Sequence, residues 1–327
     1  MPKVLLTNPI HPQALAALRA HTEVVIAPAP TSEAIMAACQ GCDAIIVRAQ
    51  LPDGLFAAHP HLRVAVRHGT GVDFIPIDEA TREGVVVANV PGLNASSVVE
   101  HATWLMLGLA RFSQRSVELL RGGDWNAARD MASRAGEVRG CTVGLIGYGN
   151  VGRALGAIWR KGFAATVLAY TDGDIDTAED VQVCALDDLL ARSDFVVLCC
   201  PLTDATRGMV DSHWLARMKP GAFLVNVARG PIVQTEALIE ALTRGLIAGA
   251  GLDVYDQHPL SPDSPLLRLP NVVATPHCAG ISERSLLAMG LGAVDAVLAV
   301  LQGNLPQHLV NPEVIHHRRS ASRPSPD

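Results

Sequence analysis

"TVGLIGYGNVG", residues 142–152, runs an apolar segment into three spaced glycines, and an amphipathic stretch follows. The apolar segment reads as a strand and residues 152–161 as a helix. A G-x-G-x-x-G spacing is a weak signal alone, but between a strand and a helix it marks a dinucleotide-binding turn. Gly147 permits the tight turn, Gly149 lets the backbone approach a pyrophosphate, and Gly152 lets the helix pack closely on the strand. The helix N-terminus then offers N–H groups and partial positive charge to phosphates. The motif predicts an acidic residue about 20 positions on. The next strand ends "VLAYTDGD", which puts Asp172 in that place with Thr171 as its neighbouring competitor. Asp174 and Asp176 follow without an Arg or Lys, and their charge would repel a ribose 2′-phosphate, so NAD is expected over NADP.

Outward from this stretch the same alternation repeats. Apolar runs at 4–7, 44–47, 64–66, 85–88, 166–170, 195–198, 223–226, 249–253 and 272–274 read as strands. They are continuous rather than alternating, as strands covered on both faces are. Helical patterns lie between them, at 11–20, 32–39, 98–113 and 235–244. Strand-helix-strand order predicts an α/β protein of parallel sheets with right-handed crossovers.

The chain has 327 residues, 49% of them hydrophobic, which is room for two ordinary domains with sizeable cores. Aromatics are only 4%, so Ala, Val, Leu and Ile should fill those cores. A net charge of −6 and a pI near 6.0 argue against nucleic acid or an anionic membrane as partner. "MPKVLLTNPI" reads directly as a strand, so no signal peptide is expected. Residues 286–301 form the longest apolar stretch, interrupted by Asp295 and weakened by Gly290 and Gly292, and it is expected to fall short of a membrane span. These features predict a soluble cytoplasmic protein. Seven cysteines, an odd number spread through apolar segments, do not suggest a disulfide scaffold. Cys39 and Cys42 have C-x-x-C spacing without a second pair, so they read as buried small hydrophobes, and no metal site is expected.

Several stretches, in order, resemble the D-isomer-specific 2-hydroxyacid dehydrogenases, the family of phosphoglycerate and glycerate dehydrogenases. They are "RHGTGVDFIPIDEATREGVVVANVPGLNASSVVEHA" (67–102), the glycine turn, "CCPLTDATRGMV" (199–210), "MKPGAFLVNVARGPIV" (218–233), "GAGLDVYDQHPL" (249–260), "LPNVVATPHCAG" (269–280) and "GNLPQHLVNPEV" (303–314). The resemblance spans nearly the whole chain and looks like a short member without an added regulatory domain. It implies two doubly wound, Rossmann-like parallel-sheet domains with the NAD domain inserted into the substrate domain. The substrate domain would be residues 1–94 plus 282–314, the NAD domain 95–281, and 315–327 a disordered tail. The active site would lie in the cleft.

The resemblance also implies roles. Backbone N–H groups near Thr70 and Gly71 would grip the substrate carboxylate, with Arg48 either a secondary anion contact or a surface salt bridge. Asn150 and Val151 would offer N–H groups to the pyrophosphate. Pro201, Thr206 and Ala228 would lie along the cofactor, Gly280 would border the nicotinamide, and Asp253 would meet its carboxamide. Arg229 matches the catalytic arginine. Its planar guanidinium can hold a carboxylate and the C2 oxygen together and never deprotonates. His277 matches the acid/base histidine, since imidazole titrates close to neutrality.

His258 departs from the pattern. The family's "LDV-x-x-x-E-P" carries a glutamate there that pairs with the catalytic histidine and raises its pKa. This chain reads "LDVYDQHP". A second imidazole gives no such support, so reduction is expected to favour a lower pH than in glutamate-bearing relatives. A neutral His258 could orient His277, Asp256 could swing in as the missing carboxylate, the site could be impaired, or His258 could turn to solvent.

The expected function is hydride transfer between NAD and C2 of a small D-2-hydroxy or 2-oxo acid. The alternatives are a formate- or phosphite-type dehydrogenase on this scaffold, or a non-catalytic NAD-sensing binding protein. Residues 110–130 resemble the family's dimer arm, so a homodimer is expected. Cys278, beside His277, is either the thiol most open to oxidants or a passive neighbour.

Overall fold

The computed structural model describes residues 1–171 and 181–319 and divides the chain into two compact units. One is Met1–Asn94 together with the segment from Ile281 onward, and the other is Ala95–Gly280.

The first unit holds five parallel strands: β1 (Lys3–Leu6), β2 (Glu23–Ile26), β3 (Ala44–Val47), β4 (Val64–Arg67) and β5 (Val86–Ala88). Their spatial order is β2-β1-β3-β4-β5, a doubly wound arrangement. The continuous apolar runs have a simple cause. Val4, Leu6, Ile46 and Val66 bury into one core, while Leu5, Ile45, Val47 and Ala65 bury into another on the opposite face. Strand β2 is an edge strand with only partly covered side chains, which is why its sequence carries a weak strand signal. Cys39 and Cys42 are fully buried free thiols in the second of these cores.

The stretch expected to fall short of a membrane span forms a 19-residue helix, Glu283–Leu301, which by length and composition is long and apolar enough to cross one. Here it is a core helix. Met289, Ala293, Val294, Val297 and Val300 pack into the first core. The glycines that lower its helix propensity have a packing reason: a β-carbon at Gly290 would come within 2.7 Å of the Ala14 β-carbon. The expected loose tail is also corrected in part. Pro312–His316 is a 3-10 turn, and Arg319 donates to the carbonyls of Phe56, His59 and Leu62 and to the Glu83 carboxylate. A guanidinium with that many acceptors tethers residues 315–319, and residues 320–327 lie outside the described part.

Among its described residues the second unit holds seven parallel strands: β6 (Thr142–Ile146), β7 (Thr166–Tyr170), β8 (Gln182–Val183), β9 (Phe195–Leu198), β10 (Phe223–Asn226), β11 (Gly249–Leu252) and β12 (Val272–Ala274). The order β8-β7-β6-β9-β10-β11-β12 is the dinucleotide-binding one, with the switch point between β6 and β9. Both faces are again buried.

Candidate active site

One row of residues crosses the second sheet in register. Ala274 pairs with Leu252, Leu252 with Asn226, Asn226 with Leu198, Leu198 with Ile146, and Ile146 with Tyr170. All six are the last residues of their strands. The loops carrying His277, His258, Arg229, Pro201, the glycine turn and Thr171 therefore leave the same edge, the carboxyl edge where open α/β sheets bind ligands.

At the glycine turn, Gly147 has φ +92°, and a β-carbon there would lie 2.8 Å from the Cys200 backbone. A β-carbon at Gly152 would lie 2.5 Å from the Gly147 carbonyl oxygen, so the helix Asn150–Phe163 packs directly on the turn. Gly149 differs. Its β-carbon would meet nothing within 4 Å, and no side chain caps the helix that begins after it. Open space over uncapped first-turn N–H groups, including those of Asn150 and Val151, fits an incoming pyrophosphate. Asp172, expected at the ribose, lies outside the described residues. Thr206 turns its hydroxyl inward, donating to the Pro201 carbonyl at 2.8 Å and accepting from Thr203 N, so it braces this loop.

Arg229 follows β10 and is half-buried, its Nη1 donating to the Ala228 carbonyl at 2.7 Å. The Asn226 side chain fixes that bend, accepting from Ala228 N and donating to the Arg229 carbonyl, both at 3.0 Å. A β-carbon at Gly230 would overlap the Tyr255 carbonyl, which presses the arginine loop against the one carrying His258.

His277 and His258 are both exposed, with ring centroids 5.0 Å apart and planes inclined by 50°. The Tyr255 ring lies 5.9 Å beyond His258. Asp256 instead accepts the Gln257 N–H and faces solvent. Of the expected arrangements, it is His258 rather than Asp256 that the structure brings beside the His277 ring.

His277 has φ +54°, a left-handed backbone that non-glycine residues seldom adopt. Asp253, 1% exposed, holds it there. The Asp253 carbonyl accepts the His277 N–H at 2.8 Å, Oδ1 the Cys278 N–H at 2.9 Å, and Oδ2 the Ala279 N–H at 2.8 Å. Oδ1 also accepts the Thr275 hydroxyl at 2.6 Å. Gly280 follows Ala279 in the same turn. No sequence signal marked Asp253 as the anchor of the histidine loop. His101, Asp253 and Cys278 bring donor atoms within 4.8 Å of one another, a grouping able to hold a metal. Both Asp253 oxygens are already committed to N–H and O–H donors, which makes the carboxylate a hydrogen-bond hub. Burial, and then the Asp253 charge, raise the Cys278 thiol pKa, which disfavours the reactive thiolate.

In the first unit, the carbonyls of Gly69, Thr70 and Gly71 are taken by Val90 N, the Asn89 amide and Arg67 Nε. Peptide planarity then turns the N–H groups of Thr70, Gly71 and Val72 the opposite way, as an anion-binding loop requires. Arg48 is half-buried and donates to the Pro9 carbonyl, so it serves no salt bridge among the described residues.

With this geometry in place, comparison with known proteins is unambiguous. Residues 103–279 match the model of the D-isomer specific 2-hydroxyacid dehydrogenase NAD-binding domain. The chain is 36% identical to a glyoxylate reductase of Korarchaeum cryptofilum, over 97% of this chain and 98% of that one. Among solved structures, the TT0316 protein of Thermus thermophilus superposes with a TM-score of 0.87 at 32% identity, covering 94% of this chain and 99% of its own. The NADPH-dependent glyoxylate/hydroxypyruvate reductase of Sinorhizobium meliloti, in complex with NADP and malonate, does so with a TM-score of 0.85 at 30% identity, covering 98% and 99%. The chain belongs to the D-isomer specific 2-hydroxyacid dehydrogenase family.

Proposed function

We propose that this protein reduces a small 2-oxo acid to the D-2-hydroxy acid with NADH. The observation that carries the reading is the in-register row of strand ends, which sets Arg229, His258 and His277 on neighbouring loops of the edge that bears the glycine turn. The nicotinamide cofactor would supply the hydride. Arg229 polarises the C2 oxygen and anchors the carboxylate. His277 delivers the proton to that oxygen in reduction and takes it in oxidation. His258 packs against His277 and orients it.

NAD is proposed over NADP because residues 171–176, "TDGDID", carry three carboxylates and no cation for a 2′-phosphate. Homodimerisation is proposed because the helices Ser113–Arg121 and Trp125–Ser133 bury no residue of their own chain while exposing Leu120 and Trp125.

NADH and NADPH oxidation with glyoxylate, hydroxypyruvate, pyruvate and phenylpyruvate tests the function. Turnover with NADH on at least one acid, lost in Arg229→Ala, is expected. Tight NADH binding without turnover on any 2-oxo acid would overturn it in favour of a dinucleotide-sensing protein.

A further inference from the structure

The buried carboxylate of Asp253 holds the His277 loop, and one more side chain reaches that carboxylate. His101 lies on the helix Ala95–Ala110, beside the buried stripe of Ala102, Leu105 and Leu109. Its Nε2 is 3.0 Å from Thr275 Oγ1 and 3.6 Å from Asp253 Oδ1. The chemistry orders this chain. A carboxylate only accepts, so the single Thr275 hydroxyl proton goes to Asp253 at 2.6 Å. Thr275 Oγ1 then has only lone pairs for the imidazole, and Nε2 must carry a proton and donate it. Thr275 is itself pinned, because its carbonyl accepts the Tyr255 hydroxyl at 2.9 Å. The Trp104 ring, 5.3 Å from that of His101, covers the imidazole from the side.

We infer that His101 is a positioning residue for the acid/base histidine, acting through Thr275 and Asp253 on the backbone of residues 277–279. The inference rests on the proposed role of His277 but is testable without it. The path from His101 to the His277 loop runs through hydrogen bonds, so removing the first donor frees the Thr275 hydroxyl to rotate. Asp253 Oδ1 then loses an ordered donor. The Cys278 and Ala279 N–H bonds loosen, and with them the left-handed turn that aims His277.

The test uses His101→Leu, His101→Gln, Thr275→Val and the His101→Leu/Thr275→Val double variant in the full-length protein. Two quantities are read: amide hydrogen exchange at Cys278 and Ala279, with β9 amides as reference, and kcat alongside KM for NADH. In His101→Leu, exchange at the two loop amides should rise about tenfold or more while β9 stays protected. Its kcat should fall on the order of 10- to 100-fold with KM for NADH near wild type, as expected for a displaced reacting group. His101→Gln, whose amide still donates, should recover most of both. The double variant should be no worse than the poorer single, because both act on one chain of bonds. Unchanged loop exchange in His101→Leu, equal loosening of β9, a glutamine variant as poor as leucine, or additive losses would each overturn the inference. If the wild type reduces no 2-oxo acid, the functional reading fails, while loop exchange still decides the role of His101.

Discussion

The backbone carbonyl of Asp253 accepts the N–H of His277, and the carboxylate of the same aspartate accepts the next two N–H groups. One residue thus sets both the path of the histidine loop and its φ of +54°. Asp253→Ala would strand two N–H donors, each costing about 1–3 kcal/mol when buried. Denaturant unfolding should show a loss of about 2–6 kcal/mol, and kcat should fall further than in Asp253→Asn, which keeps one acceptor oxygen.

The glycines of the dinucleotide turn should separate by phenotype. Gly152→Ala drives a methyl group to 2.5 Å from the Gly147 carbonyl and should cost about 1–3 kcal/mol of stability. Gly149→Ala places its methyl in open space, so the protein should unfold normally while NADH affinity, read by fluorescence titration, falls at least about tenfold, since the methyl occupies the pyrophosphate approach.

His258→Glu restores a carboxylate next to His277, where two imidazoles now sit 5.0 Å apart. A carboxylate stabilises the imidazolium that donates the proton. The pH optimum of 2-oxo acid reduction should therefore move upward by about one unit. An unmoved optimum would show that His258 does not face His277 during turnover.

His68 should make the fold acid-sensitive. It is 4% exposed, its Nε2 has no hydrogen-bond partner among the described residues, and burial followed by the Arg48 charge pushes its pKa from 6.5 down to about 4. Between those values the unfolded chain binds the proton and the folded one does not, so stability rises with pH across the window. The contribution is complete above pH 6.5 and lost as pH falls towards about 4, roughly 3 kcal/mol in all. His68→Leu should flatten the pH dependence of unfolding free energy over that range relative to wild type.

Much of this was legible in order of residues. Strands buried on both faces read as unbroken apolar runs, and ten of the twelve described strands were visible that way. The two that were not, β2 and β8, are edge strands with little burial to imprint on their sequence. The glycine turn was legible because each of its glycines answers a local steric demand. His258 was legible as an oddity because it stands in a motif, and its pairing with His277 was one of the readings the sequence left open; the parallel register of β11 and β12 brings the two loops together.

The sequence by itself determined the fold class and the dinucleotide turn, because local sterics and hydrophobic periodicity act over a few residues, whereas Arg229 and His277 were marked as site residues by the family resemblance alone. Only the tertiary structure decided that Asp253 anchors the histidine loop, that His101 reaches it through Thr275, and that Gly290 and Gly292 serve packing in a long apolar helix. Hydrogen bonds between residues 22 to 174 positions apart leave no periodic trace in the chain, and they exist only once parallel strands have brought their carboxyl ends into line.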